Sequence, residues 1–382
     1  MDITIGNQTF DDTTLKQMAQ TLNKNCDRVK AHGYNKFLEQ TELNGIPLIE
    51  VIKALSDEAK TNKYVDSRSL GLSKTQQFDL VTEFFTGLNS ELGELIKSIL
   101  DKKNKSYKLK IDNKTHSHAG HSNEDTFIHI FVNLNDSLDN FHQLPHELSH
   151  AISGYNSHIL KLVEEITLAK KSKDKQAINQ KRDAFHAYTK SLGAFDKDCI
   201  GEIESHITER LFYRFLLKKK IITEDDYQNY RIGAMNSFSA NVFQVLEEFK
   251  IIKNLSCPIT YESAMAYIQK LLSSNSNKKF DLLNRMKVMS SPMVEGECTP
   301  VNAEYAMRYI FGEIISSEWF NLYEQSSKEE CTLMKQRFVE YLSKNGDFKL
   351  NDASEFLLNK PIEQVVEDFL NNLKTKNQAV NP

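Results

Sequence analysis

From Thr75 to Lys103 the chain reads TQQFDLVTEFFTGLNSELGELIKSILDKK, with apolar residues at helical spacing: Phe78, Leu80, Val81, Phe84, Phe85, Leu88, Leu92, Leu95, Ile96 and Ile99. Such a run does not suit a sheet, whose side chains alternate with a period of two. The rest of the chain supports helices. Seven prolines and fourteen glycines in 382 residues are about 5% of the chain, against roughly 12% in ordinary usage. Few breakers and few tight turns therefore imply a mainly α fold.

Two short pieces depart from that pattern. Residues 107–112 (YKLKID) alternate, and 126–134 (TFIHIFVNL) are β-branched and aromatic, so both read as strands. Between them NKTHSHAGHSNED reads as a polar loop carrying His116, His118 and His121. The expected architecture is a large helical body holding a small antiparallel sheet. Segments 11–60 and 136 onward read as helical, broken by polar stretches at 61–74, 274–279 and 290–302. Trp319 reads as core.

With 48 basic and 52 acidic residues, the formal net charge is -4. No global basic field exists to attract nucleic acid. The runs LLKKK (216–220) and AKKSKDK (169–175) read as solvated helix ends. Five scattered cysteines in no CxxC pair fit free thiols in a reducing compartment. The start has no basic-then-apolar leader, and no apolar run spans a bilayer. The expectation is a cytoplasmic protein without a membrane partner, although non-classical secretion would leave no recognisable trace.

One motif carries chemistry. In LPHELSHAIS, His146 and His150 stand four residues apart, which puts both imidazoles on one helix face within reach of one zinc ion. Glu147 is rotated about 100° from His146, beyond direct ligation but within reach of a zinc-bound water. The competing reading is a merely polar helix face. Pro145 requires the helix to start nearby or to kink, because an interior proline costs about 3 kcal/mol.

A catalytic zinc usually takes three protein ligands. The HExxHxxGxxH extension fails: the glycine is Gly154, one place late, and Asn156 holds the third-ligand position. The better candidate lies in CIGEIESHITERLFYRFLL (199–217). On a helical wheel Ile200, Ile203, Ile207 and Leu211 form an apolar stripe with Glu204 among them. Glu202, His206, Glu209 and Tyr213 form the opposite stripe. That stripe is expected to face the HExxH helix, with Glu202 as third ligand and Glu209 behind a histidine. The alternative is a solvent-facing polar stripe.

At these residues a resemblance becomes specific. FVNLNDSLDNFHQLPHELSHA (131–151) resembles the strand–helix segment of the oligopeptidase F/thimet-type zinc metallopeptidases, a gluzincin family with HExxH and a downstream glutamate. GEIESHITERLFYRFLLKK resembles their second helix, with Glu202, Ser205 and Glu209 at its Glu-x-x-Ser and later Glu positions. Residues 88–121 and 303–346 are similar to flanking segments, and the resemblance covers roughly 76–373. It implies one zinc per chain on His146, His150 and Glu202, with Glu147 as general base and Ser205, His206 and Glu209 around them. It also implies a transition-state tyrosine at Tyr309 in RYIFG, with Tyr305 one turn earlier and Arg308 adjacent. The histidine loop would bring His118 and His121 to the substrate.

The organisation implied is a helical N-terminal segment (1–75), a zincin-type catalytic body (76–375) with an inserted helical pair (158–188), and a disordered tail (376–382). This sequence departs from the family at Ser149, which replaces a glycine, and in an N-terminal arm far shorter than that of the full-length enzymes. The expected activity is a metalloendopeptidase acting on short unstructured peptides, by Glu147-assisted attack of zinc-bound water. Extended substrate would pair with 126–134 as an edge strand. The alternatives are a target-protein-cleaving effector and a non-catalytic helical protein with a degenerate zinc site.

Overall fold

The computed structural model describes residues 3–5, 8–11, 42–43, 45–59, 68–111, 117–121, 127–135, 137–172, 175–191, 200–254 and 303–380, with isolated positions in 13–20 and 262–270. The chain divides into two compact units. The first comprises Met1–Lys60, Ser237–Ile310 and Asn377–Pro382; the second comprises Thr61–Asn236 and Phe311–Lys376. The N-terminal segment is thus grouped with 237–310.

In the first unit, β1 (Ile3–Ile5) pairs antiparallel with β2 (Gln8–Phe10), and β3 (Glu42–Leu43) with β4 (Ile46–Pro47). β1 and β2 precede the segment read as helical, whereas β3 and β4 lie within 11–60 and correct the helical reading there. Helix α1 (Leu48–Glu58) buries Leu48, Ile49, Val51, Ile52 and Leu55. Most of the helical expectation for 11–41 falls outside the described residues.

The second unit is helical around one small sheet. Helix α2 (Lys74–Leu88) starts at a capping box in which Ser73 Oγ accepts from Gln76 N–H and the Gln76 side chain accepts from Ser73 N–H. The 75–103 run is not continuous. Asn89 ends α2, and its side chain accepts from Glu91 and Leu92 N–H to start α3 (Ser90–Leu100). Asparagine is a favoured N-cap, so the local hydrogen bonds override the unbroken apolar spacing. Gly93 allows the turn: a Cβ there would lie 2.1 Å from Thr86 Oγ1.

The sheet runs β5 (Tyr107–Ile111), β7 (Ile128–Val132), β6 (His118–His121) in spatial order. β5 pairs parallel with β7 and β6 pairs antiparallel with it. Three expectations are corrected here. The sheet is mixed rather than antiparallel, the segment expected as a histidine loop contains β6, and 126–134 supplies the central strand rather than an edge. β7 fits the centre because Ile128, Ile130 and Val132 are buried while His129 and Phe131 are half-buried on its other face.

Helices α4 (Leu138–Phe141) and α5 (Gln143–Ile152) follow β7 directly. Then come α6 (Gly154–Ser172), α7 (Lys175–Ser191), α8 (Ile203–Lys218), α9 (Glu224–Asn254), α10 (Ala303–Gln325), α11 (Lys328–Lys344), α12 (Leu350–Leu358) and α13 (Ile362–Val380). α6 and α7 pack together as a pair. Gly154 stands where a Cβ would lie 2.3 Å from the Ser343 carbonyl oxygen, so close approach to the end of α11 explains this glycine. The expected disordered tail is helical to Val380. Trp319 is fully buried against Tyr323 and Phe338.

Candidate metal centre

Helix α5 follows β7 through the one-turn α4 and packs on β7, β6 and α8. Its N-cap is His142, so Pro145 falls in the first turn, where no partner for its missing N–H is needed. Ser117 anchors the edge strand to this helix. Its hydroxyl donates to Gln143 Oε1 and accepts from Asn133 N–H at 2.9 Å. Leu144 and Leu148 are fully buried, which presents the histidines to α8.

The Nε2 atoms of His146 and His150 lie 3.1 Å apart. Glu202 Oε2 lies 3.4 Å from the first and 3.2 Å from the second. Tetrahedral zinc with bonds of about 2.0–2.1 Å separates its ligands by about 3.4 Å. The three atoms therefore stand at coordination-edge spacing, and among the described residues they form a group able to hold one metal ion.

The opposite ring nitrogens are also occupied. His146 Nδ1 lies 2.6 Å from Glu209 Oε1, and His150 Nδ1 lies 3.2 Å from Glu204 Oε1. A proton on each Nδ1 leaves each Nε2 lone pair aimed at Glu202. Ser205 Oγ donates to Glu202 Oε2 at 2.9 Å and fixes that carboxylate. Asn156 Nδ2 donates to the His150 carbonyl at 2.7 Å. Ser149 is fully buried and donates to the His146 carbonyl at 2.7 Å, so the position tolerates its hydroxyl.

Glu202 is placed differently from the helical-wheel reading. It is the N-cap residue of α8, with φ -123° and ψ 2°, rather than a residue within the helix. Gly312 on α10 makes this possible, because a Cβ there would lie 2.9 Å from Glu202 Cβ. The division of α8 into apolar and polar stripes also fails. Ile203, Glu204, Ser205, Ile207, Thr208, Arg210, Leu211, Phe212 and Tyr213 are all buried, so no broad face meets solvent. That removes the solvent-facing alternative for the polar stripe. It also explains why Glu204, assigned to the apolar side, meets His150.

Electrostatics favour a cation here. Burial opposes charge on His150, but Glu202 and Glu204 outweigh it and raise the imidazole to about 10. Burial likewise opposes charge on His146, and Glu202 and Glu209 hold it well above its ordinary value. Burial raises Glu209, yet His142 and His146 bring it down to about 2. Glu202 is held well below the usual carboxylate range by the two histidines, against burial. Buried carboxylates thus keep positive charge at this point, the charge a dication would supply on displacing the ring protons.

Glu147 is 5% exposed, and among the described residues its Oε2 has no hydrogen-bond partner. Burial raises its pKa, with His146 and His150 pulling the other way. His118, exposed on β6 and stacked on Phe131, also pulls the Glu147 pKa down. His121 lies on the same strand, and His116 lies outside the described residues. His206 stands with its ring 6.4 Å from that of His146 and its Nδ1 3.4 Å from Glu313 Oε2. Tyr305, Arg308 and Tyr309 belong to the part of α10 in the first unit, whereas the cluster's described contacts lie within the second.

Three groups escaped the sequence reading. Glu204 was masked by its apolar neighbours. His142 lies 3.9 Å from Glu209 Oε1 and 3.3 Å from the Tyr213 hydroxyl, and its position four residues before His146 was the available signal. Tyr230, stacked on Tyr213, donates to Glu209 Oε2 at 3.3 Å.

No protein-family model matches the chain, and no curated protein matches it. Solved structures to which the chain is similar include a candidate oligoendopeptidase F from Bacillus anthracis str. Ames, 12% identical, with TM-score 0.47 over 98% of this chain and 57% of that one. A candidate peptidase from Chlamydophila abortus is 12% identical, with TM-score 0.42 over 96% of this chain and 56% of that one. The chain spans little more than half the length of either.

Proposed function

We propose that this protein is a zinc-dependent endopeptidase whose metal is held by His146, His150 and Glu202. The observation that carries the reading is the convergence of three ligand atoms at 3.1–3.4 Å beside a buried carboxylate oxygen with no partner. When bound, zinc would supply a Lewis acid that polarises the scissile carbonyl and acidifies water.

The chain's own residues do the rest. Glu147 Oε2 takes a proton from the attacking water and returns it to the leaving amine. Its burial suits that exchange, because a base works best when its pKa approaches the operating pH. Glu209 and Glu204 keep the two imidazoles in one tautomer and orientation, and Ser205 does the same for Glu202. Extended substrate pairs with β6, the edge strand packed against α5, since β7 is bonded on both sides. His118 on that edge then lies beside the backbone being cleaved.

The test is Glu147→Gln, nearly isosteric and outside the ligand set. Elemental analysis should still give one zinc per chain. Cleavage of an unstructured peptide library, read by mass spectrometry, should fall about 10²–10⁴-fold. Cleavage at the unaltered rate would remove Glu147 from the mechanism.

A further inference from the structure

Apart from the histidine–carboxylate cluster, helices α8, α9, α10 and α13 of the second unit line a half-open cavity of about 240 Å³. Ile232 and Met235 of α9, Phe320 of α10 and Phe369 of α13 give it an apolar wall. Two groups of opposite charge line the same space, Arg231 on α9 and Glu318 on α10.

Neither group has an ion-pair partner among the described residues. Arg231 is half-buried, and among the described residues its guanidinium has no hydrogen bond or ion pair. Glu318 is 7% exposed. Its Oε1 accepts from the amides of Asn372 at 2.8 Å and Asn321 at 3.3 Å, and no cation pairs with it among the described residues. Burial accordingly pushes its pKa up. Arg210 and Glu313, which also line the cavity, pair with each other and cancel neither charge. A buried carboxylate without a cation and a half-buried guanidinium without an acceptor line the same space, so a ligand carrying one group of each sign would satisfy both.

We infer that this cavity binds a free α-amino acid with an apolar side chain, its carboxylate on Arg231 and its ammonium at Glu318. Guanidinium suits a carboxylate through two parallel N–H donors. The apolar wall takes the side chain. Pockets for drug-sized ligands run about 300–1,000 Å³, so this smaller space suits one residue rather than a peptide. The inference does not rest on the peptidase reading, although such a ligand is the smallest product of peptide-bond hydrolysis.

The zinc-loaded full chain is titrated calorimetrically with leucine, N-acetyl-leucine and leucinamide. Leucine should bind one per chain, and loss of either ligand charge should weaken binding at least about tenfold, the effect of one charged hydrogen bond. Glu318→Gln and Arg231→Met should each weaken leucine to a similar degree. Arg231→Met should also no longer distinguish leucine from leucinamide. The inference is overturned if leucine gives no heat, if leucinamide binds as well as leucine, or if both variants bind leucine unchanged. Leucine binding lost on zinc chelation but unaltered in both variants would place it at the metal and overturn it too. Should a variant fail to fold, the three ligands on the unaltered chain still decide. Failure here leaves the Glu147→Gln result untouched.

Discussion

On one side of α8, Glu313 of α10 meets Arg210, whose Nε also donates to Ser316 at 3.1 Å and whose Nη2 donates to Ser317 at 2.8 Å. On another side Glu202, Glu204 and Glu209 meet the imidazoles of His146 and His150, with the Ser205 and Tyr230 hydroxyls and the His142 ring as further partners and no permanent cation. Both clusters are buried, and both place acids where water does not screen them. The first is closed by a permanent cation and two hydroxyl acceptors. The second is closed only by groups that can give up their protons. Helix α8 thus carries a structural ion pair and the proposed metal site within about two turns. In the proposed function this second cluster is the receptor for the metal's charge.

The contrast can be broken at its structural end first. Arg210→Met should cost about 3–5 kcal/mol in urea unfolding, because Glu313 is left charged and buried. Glu202→Gln in zinc-free protein should cost well under half of that. Equal losses would show that the two clusters are built alike. Next, zinc at 100 times its dissociation constant should stabilise the unaltered chain by about 2.7 kcal/mol. The same zinc concentration should leave Glu202→Gln nearly unmoved in a thermal melt.

Smaller effects sharpen the receptor itself. Glu209→Gln should weaken zinc about 10–100-fold in a competition assay with a chromophoric chelator. Glu204→Gln should lie at the lower end of that range, since its contact to histidine is 3.2 Å rather than 2.6 Å. Gly312→Ala should also lower zinc affinity, because the added methyl meets Glu202. Its helix should remain intact by circular dichroism.

The last effect is one of pH. Arg210 and His206 hold Glu313 at about 2 against burial, below the ordinary value of 4.5. A depressed carboxylate contributes stability that is fully present above its unfolded pKa and is lost as pH falls through its folded one. Stability should therefore decline between about pH 4.5 and pH 2, and Glu313→Gln should flatten that part of the urea-midpoint profile. An unchanged slope would assign acid sensitivity to other carboxylates.

Local features of the chain were legible because their causes are local. The spacing of Phe84, Phe85, Ile96 and Ile99 announces buried helix faces, and His146 and His150 share a face whatever surrounds them. Pro145 restricts where the helix begins. Even the break at Asn89 was available, since its side chain caps the next helix through its immediate neighbours. The wheel failed on α8 for a definite reason. A helix covered on every side has no solvent face to set its polar side apart, so Glu204 looked like an intruder among isoleucines.

By itself, then, the sequence determined a helical protein with two histidines aimed at one point and a glutamate beside them. Backbone geometry over four residues settles that much. The tertiary structure decided which strand lies at the centre of the sheet, that β6 forms its edge, and that Glu202 sits at a helix cap against Gly312. It also decided that Glu204 and Glu209 back the histidines while Arg210 is spent on Glu313. These pairings join residues 54, 63 and 103 positions apart. No local period encodes them, because they depend on which buried charges the packed helices bring together.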